Sequence, residues 1–204
     1  ALWKMAGGRY LVHGAERVVS ELKSIREPFV FFADADTFIN PRRVDEIVKG
    51  VRAEGIRKSY RMFVNAHTVV KYPEMMANFA SIGLEEVVVG YEAVDDAGLK
   101  AFNKNTSADE NRIATSLLYD MGIHVRAYFL VKCDFTPIDF QKLAHYVEEL
   151  GLVTPFYTLE TPFPGTELYD RERGRLTTQN YEEFDLLHPT MPLAMDPGDF
   201  LAEY

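Results

Sequence analysis

Leu84-Glu-Glu-Val-Val-Val-Gly-Tyr-Glu-Ala-Val-Asp-Asp96 is the stretch on which the reading of the whole chain turns. Val87, Val88 and Val89 are β-branched and apolar without alternation, and Gly90 closes the run; a strand buried on both faces of a parallel sheet has this pattern. Glu92 follows at once. Where parallel strands alternate with helices around a barrel, polar residues just past a strand's carboxyl end line the mouth at which ligands bind. Glu92 is therefore the first candidate for a ligand contact.

Upstream, Phe29-Val-Phe-Phe-Ala33 is another buried-type strand that runs into Asp34-Ala-Asp36. Asn40 and Pro41 are the N-cap and first residue of a helix that turns Val44, Ile47, Val48 and Val51 inward. Lys58 to Asn65 is strand-like, His67 follows it, and Pro73 opens a helix with Met75, Met76 and Phe79. Downstream, Ser107 and Glu110 make a capping box for a helix, and His124 to Val131 is a strand. Thr136-Pro137 starts a further helix, and Leu152 to Glu160 is the last strand. The tail after Gly174 is irregular. These units recur at roughly 30 residues, the length of a strand with its helical crossover. Such alternation is an α/β fold with a parallel sheet, here a partial TIM-like barrel with outer helices in a single domain over residues 1–204. No Gly-x-Gly-x-x-Gly follows any strand, which weakens a dinucleotide-binding alternative. The pattern begins on a helix, which predicts a strand before Ala1 and a longer parent protein.

At 204 residues, with 47% apolar and 26% charged side chains, the composition is that of an ordinary globular domain. A net charge of -9 argues against a nucleic-acid backbone as partner, since that contact needs Lys and Arg to neutralise phosphates. One cysteine, Cys133, excludes an internal disulfide and makes a reducing, cytoplasmic setting the default. No run of about 18 apolar residues predicts a membrane span. The five histidines lack zinc-type spacing, so no metal site is expected.

Asp34, Asp36, Asn65, His67 and Glu92 all fall at predicted carboxyl ends of strands. If the strands are parallel, they converge on one mouth although far apart in sequence. The plainer alternative is that Asp34 or Asp36 caps a loop and Glu92 pairs with a nearby Lys or Arg. Thr161-Pro-Phe-Pro-Gly-Thr166 is a stiff turn after a strand, in which Pro164 fixes φ and Gly165 lets the backbone approach a ligand.

Read together, Glu16-Arg-Val-Val-Ser-Glu-Leu22, Phe31-Phe-Ala-Asp-Ala-Asp-Thr-Phe38, Gly83 to Glu92, Phe102-Asn-Lys-Asn-Thr106 and Thr161 to Tyr169 resemble the radical S-adenosylmethionine superfamily. They are most similar to its cobalamin-associated branch, which includes the anaerobic magnesium-protoporphyrin ester cyclase type. The resemblance implies a partial (βα)6 barrel that holds a [4Fe–4S] cluster and S-adenosylmethionine, with reductive cleavage to a 5′-deoxyadenosyl radical. It also implies a separate cobalamin domain, a reductant protein and a small-molecule substrate. The family's Cys-x-x-x-Cys-x-x-Cys motif is absent from this chain, and the resemblance places it just before Ala1, so the chain alone is expected to be inactive. By position, Asp34 and Asp36 match residues near the methionine moiety, Glu92 the ribose contact, and Tyr128 to Val131 the strand beside the adenine. Asn65, His67, Pro164 and Gly165 are then expected on the substrate side. Two other readings stay open: a barrel of acid–base or metal-assisted type using Asp34, Asp36 and Glu92, and a barrel that binds a ligand without chemistry.

Overall fold

The computed structural model describes residues 7, 9, 11–34, 37–102, 104 and 106–204. Helix α1 (Ala15–Ser24) precedes strand β1 (Phe29–Phe32), helix α2 (Pro41–Ala53) and strand β2 (Ser59–Val64). Helices α3 (Ala66–Lys71) and α4 (Pro73–Ala80) lead to β3 (Leu84–Glu92). Helices α5 (Asp96–Ala101) and α6 (Ala108–Asp120), strand β4 (His124–Val131), helix α7 (Pro137–Glu149) and strand β5 (Phe156–Leu159) follow. Helix α8 (Glu167–Glu172), a 3-10 turn (Tyr181–Glu183) and helix α9 (Pro197–Glu203) complete the chain. The strands are ordered β1-β2-β3-β4-β5, with β1–β2 and β2–β3 parallel, and each consecutive pair of strands is joined through helix. This is the α/β partial-barrel class expected from the sequence.

The chain divides into two compact units. The first comprises Val12–Tyr128 with Leu150–Pro155. Its β2 alternates strictly: Tyr60, Met62 and Val64 are buried, while Ser59, Arg61 and Phe63 are half-buried. Helices cover the buried face, where Phe79 of α4 meets Tyr60 edge-on at 6.0 Å and Phe38 at 5.5 Å. Val44, Ile47, Val48 and Val51 of α2 are all buried, each contributing about 1.5–3 kcal/mol of transfer free energy. Asn40 caps α2, its side chain accepting the Arg43 N–H at 3.3 Å. In β3, Val87, Val88 and Val89 are buried in succession, as the unbroken apolar run requires. Gly83 immediately precedes that strand at φ +114°, and a side chain there would collide with the Lys58 carbonyl.

The second unit comprises Phe129–Glu149 and Phe156–Tyr204, with the described residues up to Leu11. Phe129 stacks on Tyr157 at 6.0 Å and meets Tyr146 edge-on at 6.2 Å. Its tail is less irregular than expected: α9 drives Phe200 against Phe140 at 5.4 Å, and the Tyr204 hydroxyl donates to the Tyr157 carbonyl at 3.2 Å.

Candidate functional site

Glu92 is the last residue of β3 and has φ +62°, the left-handed region that costs an L-residue about 1–2 kcal/mol. The Ala93 N–H donates to the Tyr91 carbonyl at 2.7 Å, so Glu92 is the central residue of a γ-turn of the rare, strained positive-φ kind. Strain of this sort persists only where surrounding contacts hold it, and it collects at functional sites. The contacts are present. On the preceding residue, the Tyr91 hydroxyl is buried against Thr115 Oγ1 at 2.5 Å and the Asn111 carbonyl at 3.2 Å, which ties the end of β3 to α6.

Glu92 Oε1 lies 2.8 Å from Lys104 Nζ, with the two side chains 18% and 28% exposed. Two residues earlier, Gly90 makes this pair sterically allowed: a Cβ there would overlap Glu92 Oε1 and sit 3.2 Å from Lys104 Nζ. The backbone of Lys104 is held by its N–H to the Leu99 carbonyl, 2.9 Å, just past α5. Oε2 of Glu92 carries no partner among the described residues.

A second group stands at the carboxyl end of β2. Asn65 caps α3 by accepting the His67 N–H at 2.9 Å, and His67 Nδ1 lies 2.7 Å from Glu110 Oε1. The other oxygen of Glu110 accepts from Thr106 Oγ1 at 2.9 Å, and Ser107 caps α6 by accepting the Glu110 N–H at 3.1 Å. Burial pushes the Glu110 carboxyl up, but hydrogen bonds from His67, Thr106 and the Ser107 backbone outweigh it, so it stays ionised below the usual range. Thr106 and Lys104 are two residues apart, so one loop serves both Glu92 and the His67–Glu110 pair.

Asp34 is exposed just after β1, and Asp36 lies outside the described residues. Tyr128 is half-buried on the same side of β4 as Arg126. Val131 is buried and lines a cavity of about 100 Å³ with Phe140, Leu143 and Tyr157, so its side chain is core of the second unit. In that unit Pro164 and Gly165 are exposed, with Gly165 at φ +83°, the freedom its place in the turn calls for. Burial pushes the Glu160 carboxyl up, with Lys132 only partly opposing it.

Sequence reasoning missed Lys104, Glu110 and a charge bridge on the half-buried face of the sheet. There Glu86 takes Arg126 Nε at 2.7 Å and Arg61 Nη2 at 3.0 Å, and the Arg61 guanidinium lies over the rings of Phe29 and Phe31 at 5.2 and 5.8 Å. Burial pushes the Glu86 carboxyl up, but the two guanidiniums more than reverse this and hold it below the usual range. The signal for Lys104 was the demand of a half-buried acid for a counter-charge. The bridge was hidden because only strand register brings its three members together.

Strands in chain order with helical crossovers define an α/β partial barrel, with an acid on a strained turn at the carboxyl end of one strand. No protein-family profile matches the chain. It is 29% identical over 201 residues to hopanoid C-3 methylase from Methylococcus capsulatus, covering 98% of this chain and 39% of that protein. It is 25% identical over 200 residues to the anaerobic magnesium-protoporphyrin IX monomethyl ester cyclase of Cereibacter sphaeroides, covering 94% of this chain and 33% of that protein. Among solved structures, the cobalamin-dependent S-adenosylmethionine radical enzyme OxsB, with aqua-cobalamin and S-adenosylmethionine bound, superposes with a TM-score of 0.60 at 20% identity. That match covers 89% of this chain and 27% of OxsB. The radical S-adenosylmethionine methyltransferase TsrM from Kitasatospora setae, with cobalamin and a [4Fe–4S] cluster bound, gives 0.57 at 13% identity, covering 71% of this chain and 28% of TsrM. The chain is similar to these two curated enzymes and shares the fold of cobalamin-dependent S-adenosylmethionine radical enzymes, the resemblance expected from the sequence. It spans between a third and two fifths of the length of these two curated relatives, both of which are enzymes.

The residues present fit the family's cofactors unequally. Iron–sulfur clusters are held by thiolates, and the one cysteine here, Cys133, is 3% exposed with its thiol pushed up by burial. Nothing in this chain supplies the ligand set of a cluster. Glu92 is an acceptor chemically suited to the hydroxyls of S-adenosylmethionine, its Oε2 without a partner among the described residues and Gly90 beside it lacking a side chain.

Proposed function

We propose that this chain is the S-adenosylmethionine-binding part of a radical enzyme acting on a small-molecule substrate. The observation that carries this is the Glu92 carboxylate, half-buried at the end of β3, strained and with one oxygen unpartnered among the described residues. A carboxylate so placed accepts hydrogen bonds from the vicinal hydroxyls of a ribose. When bound, S-adenosylmethionine supplies the adenosyl group from which the radical chemistry of this superfamily starts. The chain's own residues do the rest. Glu92 takes the sugar, Gly90 allows close approach, and Tyr91 with Thr115 holds the turn rigid. Asp34 and Asp36 near the methionine moiety, and Tyr128 with the backbone at Val131 beside the adenine, belong to this assignment, with Asn65, His67, Pro164 and Gly165 on the substrate side. The cluster, cobalamin and a reductant protein are supplied from outside this chain. Methyl transfer and ring closure are the reactions that the relatives' names describe.

Calorimetric titration with S-adenosylmethionine, before and after Glu92→Ala, is the test. Loss of two charge-assisted hydrogen bonds predicts weakening of about tenfold or more. Unchanged affinity removes Glu92 from the site and the assignment with it.

The His67–Glu110 pair favours a second reading, acid–base chemistry at the same mouth, since an ionised carboxylate on Nδ1 orients an imidazole for proton transfer at Nε2. If that reading holds, His67→Gln abolishes turnover and leaves S-adenosylmethionine affinity unaltered.

A further inference from the structure

We propose that Lys104 is a positioning residue for the sugar-binding carboxylate, an assignment that rests on the reading of Glu92 given above. Three observations converge on it. Nζ stands 2.8 Å from Oε1 of Glu92, so the ammonium holds the head of the carboxylate in place. The pair sits over Gly90, where any side chain would displace both heads. Lys104 is itself anchored at Leu99, so its ammonium is delivered by a pinned backbone rather than by a wandering surface loop.

The physical need is plain. A carboxylate removed from water loses hydration worth several kcal/mol, and a partner that recovers only part of it leaves the group poised to accept. A lysine suits this role better than an arginine would, because a guanidinium forks across both carboxylate oxygens whereas an ammonium meets one. The ligand feature such an arrangement selects is a vicinal diol: two adjacent hydroxyls that need a carboxylate held at one angle. Without Lys104 the carboxylate can still accept a hydrogen bond, but it no longer discriminates a diol from a single hydroxyl.

The purified protein is titrated with S-adenosylmethionine and with its 2′-deoxy analogue, the two affinities giving a diol preference. Lys104→Met is expected to weaken S-adenosylmethionine about tenfold and to shrink the diol preference towards unity. Lys104→Arg is expected to recover overall affinity but not the preference, because the fork occupies the oxygen the second hydroxyl needs. Far-UV circular dichroism of both variants separates these effects from unfolding, and Gly90→Ala, which crowds the same pair, is expected to reproduce the loss of preference. If Lys104→Met weakens both ligands equally, or neither, Lys104 is only a structural counter-ion and the assignment falls while that of Glu92 stands. If Glu92→Ala leaves both affinities unaltered, the parent reading fails first and takes this one with it.

Discussion

At the scale of single residues, Glu92 holds a conformation its own side chain disfavours, so the backbone strain and the carboxylate separate experimentally. Glu92→Ala and Glu92→Gly both delete the acid, but only glycine relaxes at φ +62°. Glu92→Gly is expected to unfold at higher denaturant than Glu92→Ala, by about 1 kcal/mol, with equal loss of ligand affinity. Equal stabilities would mean that the turn opens when the acid is removed. The sequence marked Glu92 through its place after an apolar run, and it marked the alternative as well, pairing with a nearby cation. The pairing is what the structure shows, with Lys104 Nζ 2.8 Å from Glu92 Oε1. What the string of letters could not mark was which cation, since Lys104 lies twelve residues on in a loop whose course depends on Leu99.

At the scale of elements, the strands were readable, as was the short helix after Thr166, but the short helices α3 and α5 were not. The run His124 to Val131 matches β4 end to end, because strict alternation of buried and half-buried positions is a strong local signal. Leu152 to Pro155, expected at the start of the last strand, is instead irregular, and β5 has only four residues. Helix α3 went unseen because its Thr-Val-Val centre reads as strand, and α5 because Gly98 lies inside it, held by the Asp95 cap. The charge bridge across β2, β3 and β4 was equally invisible, and it has a measurable signature. Glu86 is held ionised below the ordinary range, so its contribution is present above that range and lost as pH falls through the folded value. Glu86→Gln is expected to cost about 2 kcal/mol at neutral pH and progressively less as pH falls through the lowered folded value, read from urea melts at a series of acidic pH values. Glu160 has the opposite sign: burial raises its carboxyl, so wild-type stability falls as pH climbs from the ordinary range through the raised value. Glu160→Gln is expected to flatten that decline, and an unchanged slope would show that Glu160 is hydrated.

At the scale of the whole molecule, a single buried thiol bears on which cofactors this chain can hold. Cys133 is buried in the second unit, its backbone carbonyl accepting the Ala194 N–H at 3.0 Å. Reconstitution with iron and sulfide is expected to give no stable [4Fe–4S] absorbance, and a disulfide reagent is expected to react with Cys133 only as fast as the unit opens. A stable cluster would mean ligands other than thiolates. The sequence carried the fold class because alternation of strand and helix is repeated over the whole length, and repetition averages out local ambiguity. Its division into two compact units was not readable, since the boundary at Tyr128 and Phe129 falls within one unbroken strand.

Gly83 carries a consequence that reaches the far end of its strand. The Lys58 carbonyl presses on the bare α-carbon there, and the Tyr60 N–H bonds to the Gly83 carbonyl at 2.8 Å, just before the ladder skips a residue at Tyr60 and Arg61. Side chains along a strand alternate between faces, so a slip of one position would swing the terminal acid away from Lys104 and put Tyr91 in its place. The smallest residue at the foot of the strand thus sets the phase for the acid at its tip, some nine residues away.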